Sequence, residues 1–268
     1  MSRSNDFTAV NPAKKYLSWK GEISIKKKDG AIVETNKHHF VYYDREKKEN
    51  IEVPLPITFF VLDILHTVKG FNEEEGQGFY SNEIRGANFK TDTLKVRLGK
   101  HDEAEGLYAD IMPGLKSKGA KYCQSVYVLM KEDKEWVINN IQIMGAAVAP
   151  WVDFCKNANV MKCAVTVKEW KEEEKGTNSF NAPVFHALPV SADTDQIAKD
   201  MDKELQEYLD KYFKAKKTEN LEANAHKEAE EYLDSEEPLP TIAEQKRQAE
   251  EYKSRQPKEE DYATDLPF

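Results

Sequence analysis

The sequence has little of what marks an enzyme, a disulfide scaffold or a membrane protein. Its three cysteines, Cys123, Cys155 and Cys163, are too few and too scattered for a disulfide framework, so a reducing cytosol is the expected compartment. No Cys-x-x-Cys or His-x-x-x-His spacing occurs, and the adjacent His38 and His39 would point to opposite faces of a strand. Zinc is therefore not expected, and no motif asks for any other cofactor. Gly76-x-Gly78 lacks the Gly-Lys-Ser/Thr continuation of a phosphate loop. No Ser, His and Asp grouping stands out, so no catalytic residue is assigned. The acidic run Glu73–Glu75 suits a solvated loop better than the metal site of a nuclease. Apolar runs are short: Ile57–Leu65 and Ile141–Val152 are interrupted and fall below the ~20 residues of a membrane span. The opening Met-Ser-Arg-Ser-Asn-Asp carries no apolar secretory core.

What is present is charge, unevenly placed. The chain has 268 residues and a formal net charge of −9. Residues 191–268 hold 12 Lys+Arg against 22 Asp+Glu, whereas residues 1–190 hold 27 against 26. The acidity thus belongs to the C-terminal third, and the first 190 residues are close to neutral. Solvation is the ordinary role of such a tail. Its position after an aromatic-rich domain keeps partner binding open.

The N-terminal part reads as mainly β. Gly21–Ile25 and Ala31–Glu34 flank Asp29-Gly30, a hairpin signal. Phe40–Tyr43 and Ile51–Val53 read as strands around a charged turn, and Ile57–Leu65 as a strand on its Phe59-Phe60-Val61 content. Gly70–Gly86 reads as a polar, glycine-containing loop. Leu94–Leu98 alternates cleanly, Leu107–Met112 suggests a short strand, and Tyr122–Met130 with Trp136–Met144 forms a hairpin. A helix over Ala146–Ala158 and a final strand over Lys162–Trp170 complete the domain. This inventory predicts a small barrel or sandwich with long insertions, the five-stranded oligonucleotide-binding (OB) barrel being one candidate.

Beyond it, Ile197, Met201, Leu205, Leu209 and Tyr212 recur at helical spacing within Asp193–Lys217. A second helix is expected over Glu219–Leu233. Residues 235–268 read as an acidic, largely mobile tail. The predicted organisation is a β domain over 1–190, a helical segment over 191–234 and the tail over 235–268.

Cations and aromatics interleave. Lys14-Lys15-Tyr16-x-x-Trp19-Lys20 is one cluster, and Lys37-His38-His39-Phe40-x-Tyr42-Tyr43-x-Arg45-x-Lys47-Lys48 is another. Arg85, Lys90, Lys95 and Arg97 follow the glycine loop, and Lys116, Lys118, Lys121 and Tyr122 surround Gly119. Single-stranded nucleic acid is held by cations along its backbone and by aromatic faces under its bases. The plainer reading is that β-domain aromatics are core and surface lysines ordinary. The chain closes on Asp265-Leu266-Pro267-Phe268, where an aromatic ring beside an α-carboxylate makes a compact ligand for an apolar pocket with a basic rim.

The stretches Asn11–Lys20, Tyr43–Pro56, Gly106–Ile111 and Asn140–Ala147 resemble a family of bacteriophage single-stranded DNA-binding proteins, over roughly residues 10–175. Asp-Leu-Pro-Phe is similar to the acidic tip of bacterial single-stranded DNA-binding proteins, which ends Asp-Asp-Asp-Ile-Pro-Phe. Ala263-Thr264 stand here where two of those acids would lie. The resemblance implies an OB fold, a role in phage DNA replication, recombination and repair in the cytoplasm of the infected bacterium, and a tail that recruits replication or recombination proteins. The residues expected to meet DNA are Lys20, Tyr42, Arg45, Lys47, Arg85, Lys95, Arg97, Lys118, Lys121 and Tyr122. Asp265, Leu266, Pro267 and Phe268 are expected to meet the partner. The acidic tail is also expected to compete with DNA for the domain's cations at low salt. The alternative is a phage assembly protein whose helical arm joins chains. Neither reading fixes an oligomeric state.

Overall fold

A computed structural model describes residues 10–28, 31–176 and 178–234. The Asp29-Gly30 turn, the tail over 235–268 and its tip Asp265–Phe268 lie outside the described residues. No described helix is long and apolar enough to cross a membrane.

The protein is mainly β, built on one large mixed sheet. Its hub is β6 (Ile57–Asn72), which five strands precede: β1 (Tyr16–Lys20), β2 (Ile23–Lys28), β3 (Ala31–Asn36), β4 (His39–Asp44) and β5 (Glu49–Val53). After β6 come β7 (Gln77–Ser81), β8 (Ile84–Arg85), β9 (Leu94–Leu98) and β10 (His101–Gly106). Helix α1 (Tyr108–Lys116) leads into β11 (Ala120–Glu132) and β12 (Glu135–Met144). Helix α2 (Val148–Asn157), β13 (Ala164–Lys175), β14 (Asn178–Leu188) and helix α3 (Ala192–Asp234) complete the order. The main path runs β10-β9-β7-β6-β11-β12-β1-β4-β5, with β13 and then β14 branching from β6. Among the described residues, strands β2 and β3 pair only with each other.

Periodicity explains the strongest elements. Val126, Val128 and Met130 on β11 and Ile141 and Ile143 on β12 turn one face inward, and Asp133 takes φ 53 in the two-residue turn between them. Asp tolerates that left-handed conformation better than a branched residue does. On β6 an extra residue at Leu62 opposes the Tyr127–Val128 step of β11. This bulge lets Ile57, Phe59 and Val61 face the same side as Ile64 and Val68 farther along.

Two cores result. The larger gathers Leu17, Phe40, Phe59, Val126 and Ile141 beneath α2, whose Trp151 is fully buried. Burying each such side chain contributes about 1.5–3 kcal/mol. The smaller packs Phe79, Leu94, Val96 and Leu98 against Met112 and Leu115 of α1.

The sheet is not the closed barrel that the sequence suggested. Its path ends on the edges of β10 and β5, and the β13–β14 branch meets the segment that follows β1 through one bridge, Glu22 to Phe180, beside the Asn181 N–H bond to Gly21 O at 2.8 Å. A Cβ on Gly21 would stand 1.9 Å from Asn181 O, so only glycine allows this approach. The chain then leaves to form β2 instead of continuing the pairing.

Four further expectations are corrected. Leu107–Met112 starts a helix, because Tyr108, Ile111, Met112 and Leu115 form an apolar stripe against the second core. The expected loop Gly70–Gly86 contains the end of β6 and all of β7 and β8. Lys162–Trp170 is not the last strand, since β14 follows and pairs along β13. The helix expected over Asp193–Lys217 continues without a break to Asp234. Within α3, Leu205 and Leu209 are fully buried, and the compact unit that holds the sheet extends through Tyr212. A second unit begins at Phe213.

Candidate nucleic-acid interface

Strand register brings cations and aromatics into one row. Lys121 on β11 pairs with Lys69 on β6, Lys69 with Tyr80 on β7, Tyr80 with Arg97 on β9, and Arg97 with Asp102 on β10. Paired residues share a face, so all five project from the side opposite Phe79, Leu98 and Ala120 of the second core. Lys69 Nζ lies 5.2 Å from the Tyr80 ring centroid. Phe71, two residues along β6 on the same face, is 55% exposed, and Tyr80 is 52% exposed. Rings this size are normally buried, and two of them flanking a lysine form a surface on which bases can stack.

This row borders a groove of about 900 Å³ whose remaining wall comes from Ser18 and Lys20 of β1 and Gln142 and Met144 of β12. Lys118 enters from the turn between α1 and β11, which Gly119 makes at φ 101. A Cβ on Gly119 would lie 2.2 Å from Phe71 O, so this glycine holds the turn against β6 and brings Lys118 and Lys121 beside Phe71. Glu73 and Glu74 stand on the groove's β6–β7 rim.

The cations fall into two classes. Among the described residues Lys20, Lys69 and Lys121 have no ion-pair partner, whereas Lys118 bonds Glu103 at 2.5 Å and Arg97 Nε bonds Asp102 at 2.8 Å. Lys95, on the same face of β9 as Arg97, sits 3.7 Å from Glu105. The Glu103 carboxylate pushes the Lys118 ammonium pKa up.

The other expected contacts lie elsewhere. Arg85 Nη1 bonds Asp63 at 3.0 Å and its Nη2 bonds Gln206 of α3 at 3.0 Å, so it ties the helix down. Tyr122 points to the face opposite Lys121. Its hydroxyl is 2.6 Å from His66 Nδ1, and its ring joins Phe89 and Tyr108. Burial lowers the His66 pKa and raises that of Tyr122. Tyr42 packs against the larger core with Lys15 Nζ 5.0 Å from its ring. Arg45 and Lys47 are exposed in the β4–β5 turn, where Asp44 accepts the Lys47 N–H. Lys20, Lys118 and Lys121 therefore meet at the groove, Lys95 and Arg97 share the outer face of β9, and the remaining five do not join them.

Lys69, Phe71 and Tyr80 are the residues that sequence reading missed. The alternation Lys69-x-Phe71 was the available signal, masked by Gly70 and the acidic run that follows.

The same sheet face continues beneath the first half of α3. Ser125 Oγ and, at 3.0 Å, Tyr127 Oη donate to the Glu83 carboxylate, and Asn140 Nδ2 donates to Ser125 Oγ at 2.7 Å. Tyr212 Oη accepts the Glu83 N–H at 2.9 Å, and Gln206 Nε2 donates to Asp63 at 3.1 Å. Burial pushes the Glu83 carboxyl pKa up, and its hydroxyl donors and Lys69 only partly oppose this. This end of the face is an acidic, helix-covered floor, and the groove's cations stand beyond it. No protein-family model, curated protein or solved structure matches the chain.

Proposed function

We propose that the protein binds single-stranded DNA without sequence preference, as a non-enzymatic factor in phage DNA replication, recombination and repair. The observation that carries this reading is the in-register row Lys121–Lys69–Tyr80 with exposed Phe71 beside it. Backbone phosphates would meet Lys20, Lys69 and Lys121, and bases would stack on Phe71 and Tyr80. Stacking accepts any base because every base has a π-face, which accounts for the lack of sequence preference. The resemblance of residues 10–175 to phage single-stranded DNA-binding proteins supports the same reading. We take the open, branched sheet as an enlarged relative of the OB barrel, itself a partly open design. The tip Asp265–Phe268 would recruit a replication or recombination protein.

An assembly arm is less well supported. Leu205 and Leu209, two residues of the stripe that such an arm would present to other chains, are buried within the protein's own compact unit. The deciding experiment titrates labelled single strands and duplexes of equal length at two salt concentrations. Tighter single-strand binding that weakens as salt rises is expected. Equal or absent binding of both at both salts would refute the proposal.

A further inference from the structure

The edge strand β10 holds three carboxylates within His101–Gly106, and each engages a different cation. Asp102 takes Arg97, Glu103 takes Lys118, and Glu105 takes Lys95. Arg97 and Lys95 are delivered by antiparallel register with β9, but Lys118 comes from the turn after α1, so one short strand collects cations from two elements. A carboxylate and a phosphodiester oxygen offer a cation the same kind of acceptor.

We propose, resting on the single-strand reading above, that β10 is a built-in competitor for the DNA backbone. Its carboxylates hold Arg97, Lys118 and Lys95 in the free protein, and phosphates gain these cations only by displacing them. In the resting protein the open contacts are Lys20, Lys69 and Lys121. The thermodynamic signature lies in salt dependence. A free lysine that meets a phosphate releases condensed counterion from the strand, about 0.7 per contact for single strands. A cation taken from β10 leaves behind a bare carboxylate that recruits a counterion, so its net release is close to nil. Where salt screens the acidic tail, the intact protein should therefore show the slope of about three phosphate contacts, near −2 in log K against log salt.

The test uses the full chain, a fluorescent oligothymidine and salt from 50 to 500 mM. Asp102→Asn/Glu103→Gln/Glu105→Gln is expected to steepen the slope by about 2 and to tighten binding at 50 mM roughly tenfold or more. A charge-matched control, Glu46→Gln/Asp133→Asn/Glu135→Gln, alters exposed acids of the β4–β5 and β11–β12 turns, away from the groove. Glu135 faces Glu132 at the end of β11 roughly 35 Å from Lys121, well beyond the ~10 Å screening length in 0.1 M salt. That control should keep the wild-type slope. Because Glu103 is the least exposed of the three, Asp102→Asn/Glu105→Gln is measured alongside, with an expected change of about 1.4 in slope. Slopes equal to the control's would overturn the proposal, and so would weaker binding, which would make the carboxylates positioning groups for their cations. In either case wild-type binding leaves the single-strand reading standing. If no form binds single strands at any salt, that reading itself fails.

Discussion

Replacing Tyr80 separates stacking from charge at the groove. Its ring is half exposed and lies under Lys69 Nζ at 5.2 Å, so Tyr80→Ala removes a base platform and one cation–π contact while leaving the core beneath intact. The cation–π contact contributes about 0.5–1 kcal/mol at an exposed site. Loss of one stacked base costs ~1–3 kcal/mol, or roughly five- to 150-fold in Kd. Lys69→Ala/Lys121→Ala should act differently. Removing two of three open phosphate contacts lowers the salt slope from near −2 to near −0.7. Tyr80→Ala should displace the plot of log K against log salt downward without changing its slope, and Tyr80→Phe should restore the wild-type line. Fluorescence anisotropy with an oligothymidine from 50 to 500 mM salt reads both quantities. If Tyr80→Ala binds like wild type at every salt, or changes the slope as the lysine pair does, the assignment of stacking to this ring is wrong.

Three other outcomes are expected. Because burial raises the Glu83 pKa above its unfolded value, the folded state holds that proton more tightly. The resulting stability is complete below the unfolded pKa and is lost as pH rises through the folded one. Melting curves from pH 4.5 to 8 should therefore show wild type losing ground to Glu83→Gln as pH increases, by about 1.4 kcal/mol per pKa unit of elevation, and a constant difference would contradict the burial argument. Leu205→Ala or Leu209→Ala should each cost about 2–5 kcal/mol in chemical denaturation, since both are fully buried; a cost under 1 kcal/mol together with an altered oligomeric state by light scattering would favour the assembly arm. Deleting residues 235–268 should tighten single-strand binding at low salt and have little effect at 0.5 M, where the tail's charge is screened. Unchanged affinity at low salt rejects competition by the tail.

Elements with a single uninterrupted period were legible in the sequence. The β11–β12 hairpin, β9 and α2 each show their apolar face within one window. Elements that depend on distant partners were not. The distal half of β6 contains Lys69, Gly70 and Asn72, poor strand residues individually, and it is extended because β11 and β7 pair on either side. Tyr108–Lys116 carries Pro113 and Gly114, which read as a stop, yet the second core selects the helix by burying Met112 and Leu115. The groove shared this fate. Lys20, Lys118 and Lys121 were visible as local clusters, but their meeting with Lys69, Phe71 and Tyr80 is a product of register between strands β1, β12, β11, β6 and β7. Tyr122 shows the limit from the other side: next to Lys121 in sequence, it must face away in a strand.

Strand β6 supplies Ile57, Phe59 and Val61 to one core and Val68 to the other, and it pairs with β7, β8, β11 and β13. Neither core can melt while leaving the other whole, because both would release the same strand. The sheet-bearing unit should therefore open as one cooperative block. Amides of Phe59, Phe60, Leu65 and His66, where β6 has a neighbour on each side, should exchange with solvent deuterium only when the whole unit opens. The edge strands β5 and β10 have one pairing neighbour each, and their outward amides should exchange far sooner. On that scale the acids of β10 sit where the fold yields most easily, and the lysine on β6 sits where it yields last.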